Sequence, residues 1–443
     1  MRKIVSTAIL LIGIVIGFAE MSSHAGEMDI LVNKLVDKGI LTPVEGQMIL
    51  AEAQQELATE MAQAKSPTAP EWTQKIKVQG DVRLRNQWET AKSSSSSDDE
   101  KARFRQRVRA RIGIDGTIND QLSGGVRLAT GSDNDGRSTN QTLGDSGTGK
   151  GYFTKWDLWI DQAYLKWEPK IQYLDRTTVW GGKFINPFRT TAMTWDGDIN
   201  PEGMVVQYAG PTWSNYNMPD ISFGLNGGWM WLDYLKSNAG FKGIWGIQGT
   251  MDFDLKNDWG TKFKTAFAYF NPTNLKNKPS PSYSADTNSV IGSNYQYDLH
   301  WFDMLFNLDN KSIMDWEINN GLWLDMALNP SVSKDRFAMS IGAYLGDKKV
   351  GKKNQWKVYG EYRRIERDAV PDFLPDSDFI GYTLAGDAKG GGTNGQGFVV
   401  GCDYGLLNNT VLGLKWYWTE PITSTTSLDE PFNLVQLDII TKF

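Results

Sequence analysis

Five arginines occupy alternate positions in one short stretch of the sequence, at Arg103, Arg105, Arg107, Arg109 and Arg111. The residues between them are mostly apolar. A period of two puts the two sets on opposite faces of a β-strand, whereas a helical period of 3.6 would scatter the arginines around the axis. Guanidinium groups about 7 Å apart on one face repel each other, so such a row needs water beside it. The stretch therefore predicts a transmembrane β-strand with its arginines in a wet lumen and its apolar face in lipid.

Neighbouring predicted strands extend this row of arginines. Arg83 and Arg85 share the polar face of the preceding strand, and Arg127 lies on the polar face of the following one. An arginine at mid-membrane costs ~2–4 kcal/mol more in lipid than in water, so the basic face is assigned to the lumen. These eight residues, which we call the basic wall, are Arg83, Arg85, Arg103, Arg105, Arg107, Arg109, Arg111 and Arg127.

Acidic residues that could oppose the basic wall follow the fifth predicted strand. Asp196 and Asp198 lie in that loop and Glu202 is close by. If the loop folds inward, it would narrow the pore. Its carboxylates would then face the arginines and impose a transverse electric field that favours anions. Alternatively, the arginines pair locally with carboxylates and only stiffen the wall. The local carboxylates in that case are Asp81, Glu89, Asp115 and those of the loops.

Residues 1–25 have the features of a secretory signal peptide. Arg2 and Lys3 are followed by an apolar run to Phe18 and by Ser23-His24-Ala25, a small-x-small cleavage pattern. The run is shorter than the ~20 apolar residues that a helix needs to cross a bilayer. We expect cleavage after Ala25 and export from the cytoplasm.

Residues 26–65 are predicted to form a short periplasmic helical segment. One apolar stripe ends at Gly39, and Thr42-Pro43-Val44-Glu45 has the cap residues that begin a second helix. The second helix carries a weak heptad seam, so the segment is either a docking hairpin or an oligomerising element. Residues 66–72 then form a proline-containing linker, and residues 73–443 form the barrel.

The composition agrees with a barrel behind a signal peptide. The chain has 18 Trp, 16 Tyr, 19 Phe and 45 Gly, as expected for aromatic girdles and alternating strands. Its net charge of −6 argues against a nucleic-acid partner. Cys402 is the single cysteine, which excludes an intramolecular disulfide.

Alternating segments separated by turns predict sixteen antiparallel strands, two of them at Asn294–Leu308 and Asp315–Leu328. Short turns follow strands 2, 8, 10 and 14, whereas long polar loops follow strands 3, 9 and 13, an alternation typical of outer-membrane barrels. Only Pro211–Pro219 is awkwardly long for a periplasmic turn. The apolar set changes face near Asp161, which predicts a β-bulge. In the last strand, apolar and polar residues alternate back from the terminal Phe443. This pattern resembles the recognition signal of bacterial outer-membrane proteins.

The chain resembles the putative porin family of Gram-negative bacteria over nearly all of its mature length. The matching pieces are the helical opening around Leu31–Glu52, the Arg103–Arg111 ladder with Arg127-Leu128-Ala129-Thr130-Gly131, Asp161-Gln162-Ala163-Tyr164-Leu165, Asn186-Pro187-Phe188, Trp195-Asp196-Gly197-Asp198 with Glu202-Gly203, and Asp376-Ser377-Asp378-Phe379. The resemblance implies a homotrimeric diffusion channel and names no solute.

Eight tryptophans could instead line a path for sugars, although girdle positions at the membrane interfaces are the expected place for Trp in such barrels. They are Trp156, Trp159, Trp167, Trp180, Trp195, Trp213, Trp229 and Trp231.

Motifs for catalysis, metals or cofactors are weak. The segment from Gly144 to Lys150 lacks the Ser or Thr of a phosphate-binding loop, because Gly151 follows the lysine. Asp133-Asn134-Asp135-Gly136 lacks the bidentate Glu of a calcium loop. His300 is the one histidine left after signal cleavage, and no GxSxG surrounds a serine. We expect no enzyme activity, no metal and no cofactor.

The sequence thus predicts an all-β membrane protein, a 16-stranded antiparallel transmembrane barrel in the bacterial outer membrane. The predicted function is passive diffusion of small hydrophilic solutes with a preference for anions. A structural tether, with a plugged barrel and helices that bind peptidoglycan, is the alternative from another class. A sugar-selective channel is the third.

Overall fold

A computed structural model describes residues 32, 34, 35, 38, 42, 49, 74–91, 101–133, 135–146, 149–215, 218–234, 241–281, 284, 286–313, 316–380, 391–423 and 431–443. The chain divides into two compact units, Met1–Gln74 and Lys75–Phe443. The predicted signal peptide and linker, and almost all of the predicted helical segment, lie outside the described residues. In the described part of the chain, no helix is long and apolar enough to cross a bilayer.

The second unit is a barrel of sixteen antiparallel strands, as the alternation predicts. The strands are β1 (Ile76–Ala91), β2 (Lys101–Thr117), β3 (Leu122–Ala129), β4 (Trp159–Trp167), β5 (Thr177–Lys183), β6 (Glu202–Asn215), β7 (Met218–Tyr234), β8 (Phe241–Asp254), β9 (Lys262–Thr273), β10 (Trp301–Asn310), β11 (Asn320–Leu328), β12 (Phe337–Gly346), β13 (Trp356–Ile365), β14 (Gly395–Leu407), β15 (Thr410–Pro421) and β16 (Phe432–Lys442). Each strand pairs with the next along the chain. β16 also pairs with β1, from Asp81↔Lys442 to Ala91↔Phe432, and this pairing closes the barrel.

The connections differ in length between the two ends of the barrel. The end that contains the chain terminus Phe443 has the shorter ones, such as the two-residue turn Asn408-Asn409, where Asn409 has a φ of +62°. Asparagine tolerates this left-handed conformation better than most residues. The opposite end carries the long connections 130–158, 184–201, 274–300 and 366–394.

Several strand boundaries differ from the sequence prediction. Pro211–Pro219 is not a loop: β6 runs to Asn215 and β7 starts at Met218, with register shifts between Ala209 and Asn215. A bulge accommodates Pro211, because proline has no backbone N–H to donate to the neighbouring strand. The strand predicted from Asn294 begins at Trp301, because Asn294–Tyr295 pairs with Val290–Ile291 inside the loop. The strand predicted from Asp315 begins at Asn320, after a local bridge between Ile313 and Trp316.

The predicted bulge at Asp161 is confirmed. Arg127 pairs with Gln162 and Leu128 with Ile160, so Asp161 is the extra residue in β4. The bulge restores the inward and outward alternation of β4 relative to β3.

An apolar core fills part of the barrel interior. Phe184, Phe188 and Met193 come from the connection after β5, and they pack with residues from the connections after β9 and β13. Interior wall residues such as Phe270 and Trp301 complete it and are fully buried. Parts of three long connections therefore fold into the lumen.

Candidate functional site

The basic wall is built by the register of β1 and β2. Arg83 lies opposite Arg109 and Arg85 opposite Arg107, so their side chains share one face of the sheet. Intervening residues such as Leu84 and Phe104 are more than half exposed on the outer surface. The alternation thus places the arginines inside the barrel and an apolar face outside it, as lipid requires.

Two carboxylates on β1 each hold a pair of arginines. Asp81 accepts from Arg109 and Arg111, each at 2.7 Å. Glu89 accepts from Arg103 Nε at 2.8 Å and from Arg105 Nε at 3.1 Å. A carboxylate between two guanidinium groups offsets part of the repulsion that a row of arginines creates.

Arg85 is the most fully paired member of the basic wall. Its Nε and Nη2 donate to both carboxylate oxygens of Asp438 on β16, at 2.7 and 2.8 Å. Its Nη1 donates to Asp378 in the connection after β13, at 3.1 Å. One buried guanidinium thus joins the strands at which the barrel closes to a loop inside the lumen.

Two arginines have no carboxylate within 4 Å among the described residues. Arg83 donates to Asn140, and Arg107 donates to Gln87 at 3.4 Å and to Ser138 at 3.3 Å. The Nε atom of each is buried without a hydrogen-bond partner in the described structure. Arg107 also lines a cavity of about 740 Å³ at the long-connection end of the barrel. That lining includes four aspartates, of which Asp135 pairs with Arg137 and Asp157 with Lys150.

The described carboxylates within 4 Å of the basic wall are six, against eight arginines. They are Asp81, Glu89, Asp161, Asp198, Asp378 and Asp438. Among the described residues, the arginines of the basic wall therefore outnumber the carboxylates within 4 Å of them by two.

The connection after β5 crosses the lumen. Arg189 at its start pairs with Asp252 on β8, and the Arg189 backbone exchanges two 2.8 Å hydrogen bonds with Gln248. At its other end, Asp198 lies 3.6 Å from Arg111 and 3.9 Å from Arg109. The structure thus brings this acid to the basic wall.

Asp196 and Glu202 take different positions from Asp198. The Asp196 carboxylate accepts from the backbone N–H groups of Asp198 and Ser377, at 2.8 and 3.0 Å. Burial, then the neighbouring Asp376 and Asp198 carboxylates, raise the pKa of Asp196 well above its usual range. Glu202 begins β6 and pairs with Lys183 at 2.6 Å, at an exposed position.

The connection after β13 supplies interior charges whose role the sequence reasoning missed. Arg363 lies 3.4 Å from Asp376. Burial opposes ionisation of Asp378, but Arg85 and Arg107 hold the pKa of Asp378 below its usual range. The available signal was the acidic pair in Asp376-Ser377-Asp378, which sequence reasoning used only as a family motif.

The tryptophans divide between the two surfaces. Trp167, Trp213 and Trp231 are exposed, whereas Trp195 is buried in the lumen and Trp180 donates to Gln207 inside the barrel. His300 contacts Ser331 and Tyr269. In the described structure, no group of three or more His, Cys, Asp or Glu side chains could hold a metal ion.

Residues 89–303 and 310–443 match the model of the protein family described as "Putative porin". The chain belongs to that family. As a porin, it is a channel of the outer membrane. No sequence among curated proteins matches it.

Three solved structures align with this porin, and the first of them has a TM-score above 0.5, which shows a similar fold. OprB of Pseudomonas putida aligns with a TM-score of 0.51 at 10% identity, over 84% of this chain and 95% of that chain. OmpF of Salmonella typhi gives a TM-score of 0.45 at 11% identity, over 83% and 97%. OmpT of Vibrio cholerae, an outer membrane protein, gives 0.44 at 10% identity, over 83% and 97%.

Proposed function

We propose that this porin lets small hydrophilic solutes diffuse across the outer membrane with a preference for anions. The observation that carries the proposal is that Arg83 and Arg107 of the basic wall have no carboxylate within 4 Å among the described residues. A water-filled lumen with low-dielectric walls concentrates the electric field of these charges on passing ions.

The expected preference is moderate. One unit charge at ~12 Å in water attracts an anion by about 0.35 kcal/mol and repels a cation by the same amount, which changes the local anion-to-cation ratio roughly threefold. Salt screens this attraction over a Debye length of about 10 Å at 0.1 M. Selectivity should therefore weaken as ionic strength rises.

Liposome swelling with solutes of matched size tests the proposal. Vesicles that contain the full protein should admit a small organic anion several times faster than a cation of the same size, and a neutral sugar should lie between them. Equal rates for all three would mean a channel without charge selectivity. Swelling by the neutral sugar alone would support the sugar-selective function.

Removal of the Asp198 carboxylate should strengthen the anion preference. Asp198→Asn leaves Arg109 and Arg111 with Asp81 as their one carboxylate partner among the described residues, which adds one net positive charge to the wall. The anion-to-cation permeability ratio should rise by up to about threefold. Glu202→Gln is the matched control, since Glu202 pairs with Lys183 at an exposed position. An unchanged ratio in Asp198→Asn would contradict a role for this acid.

The tether function stays a second candidate because of the apolar core inside the barrel. Phe184, Phe373 and Phe379 pack together in the lumen, as a plug would. Under this alternative, vesicles with the protein would show no swelling with any solute, and the N-terminal helices would bind peptidoglycan.

Assembly and targeting complete the proposal. We propose that residues 1–25 are removed on export, that residues 26–65 lie in the periplasm, and that the channel is a homotrimer. Mass spectrometry of the purified outer-membrane protein should give a mature chain that starts at residue 26. Light scattering in detergent should give three times the mass of one chain.

A further inference from the structure

The barrel wall has a notch at its long-connection end. β5 ends at Lys183, where it pairs with Ala163, so the part of β4 from Trp159 to Gln162 pairs only with β3 in the described structure. On the other side of the gap, β6 begins at Glu202, opposite Trp231. β7 therefore extends beyond its β6 neighbour.

The chain between β5 and β6 turns inward and does not close this notch. Gly182 has a φ of +111°, and a Cβ there would lie 2.3 Å from the Ala163 carbonyl oxygen. Phe184 follows and is fully buried in the interior core. The edge of β4 is held instead by side chains, since Asn200 donates to Asp161 at 2.8 Å and accepts from Gln162 at 2.7 Å.

A cavity of about 530 Å³ lies at this notch and has lining residues on both sides of the wall. Ile160 and Trp231 are outward-facing, with 61% and 45% of their surface exposed. Trp195, Met230 and Phe373 belong to the interior and are at most 5% exposed. The cavity therefore links the lipid-facing surface with the apolar core of the lumen.

The chemistry of the lining suits an amphiphile. One part of the inner lining is apolar, with Trp195, Ile199 and Leu232, and another part is polar, with Thr139, Asp198 and Asn200. The Lys183–Glu202 ion pair, at 2.6 Å, lies at the rim. A volume of this size falls within the usual range of ligand pockets. An alkyl chain would bury the remaining surface of Ile199 and Leu232, which are half-buried and pack against the core, and its polar head would stay at the rim.

The position of the notch beside outward-facing tryptophans indicates that the ligand comes from the membrane. Trp231 packs against Trp229 and Phe241, and Trp229 packs against Trp245. Outward tryptophan clusters mark the interface between headgroups and acyl chains. We propose that the notch binds the hydrocarbon chain of a single-chain amphiphile that enters sideways from the outer leaflet.

Photolabelling of the full protein in lipid vesicles tests this site. The probe is a dodecyl maltoside with a diazirine at the end of its chain, loaded into the membrane before illumination. Mass spectrometry should find adducts on Trp195 or Phe373, in addition to those on the outer surface, and excess unlabelled dodecyl maltoside should reduce the interior adducts. Adducts confined to outward residues would overturn the proposal.

A pair of variants separates lateral entry from other routes. Ile199→Trp fills the cavity from its half-buried lining position and should lower the interior adducts at least fivefold. Ile247→Trp, on the exposed outer surface, should leave them unchanged. Interior adducts at the wild-type level in folded Ile199→Trp would overturn the proposal, as would interior adducts that form only when the probe is added to the aqueous phase. If Ile199→Trp does not fold, the wild-type adduct map decides.

Discussion

Replacement of Arg83 and Arg107 together should abolish most of the anion preference. These two arginines have no carboxylate within 4 Å among the described residues, so the double variant Arg83→Gln, Arg107→Gln removes two positive charges of the basic wall without breaking a described ion pair. At roughly threefold per charge, the anion-to-cation permeability ratio should fall by up to about tenfold in dilute salt, and by less at high salt. The reversal potential across a planar bilayer with a KCl gradient measures the change.

A charge-matched control keeps this experiment specific. Arg127 pairs with Asp161, so Arg127→Gln with Asp161→Asn removes a charge of each sign. The control should keep the wild-type reversal potential while it also changes two side chains of the wall. If the control and the double variant shift the reversal potential equally, the positive charges of Arg83 and Arg107 are not the source of the selectivity.

Loss of Arg85 should have the largest effect on stability. Arg85→Leu leaves the Asp438 and Asp378 carboxylates without the guanidinium that pairs with both. Breaking a buried ion pair by removal of one partner costs about 3–5 kcal/mol, because the remaining charge stays buried without compensation. The free energy of unfolding from urea titration in lipid vesicles should fall by that amount.

Arg189→Leu provides the matched control for Arg85→Leu. It removes another interior arginine whose ion pair, with Asp252, is more exposed. Its cost should stay below about 1 kcal/mol, as for most accessible ion pairs. Equal losses in the two variants would show that burial of the Arg85 cluster does not determine its contribution.

The sequence predicted which side chains of each strand point into the lumen, because a β-strand has a strict period of two. The Arg103–Arg111 ladder placed its own side chains in the lumen, and the single break in alternation at Asp161 located the bulge. Boundaries failed where the alternation continued through a loop or a bulge, as at Asn294 and Pro211.

The partners of the basic wall could be predicted only where they are local. Asp81 and Glu89 lie on the strand next to the arginines, and the sequence reasoning named both as candidates. Asp438 and Asp378 are hundreds of residues away from Arg85, and only barrel closure and an inward loop bring them together. The balance of charge in the lumen depends on these distant contacts, which periodicity does not encode.

The measurement that tests the account most directly is the reversal potential of the unmodified protein in a planar bilayer under a KCl gradient. We predict discrete open channels whose reversal potential has the sign of chloride preference. Open channels that prefer potassium would contradict the role of the basic wall. A complete absence of conductance would contradict diffusion through the barrel and favour the plugged tether.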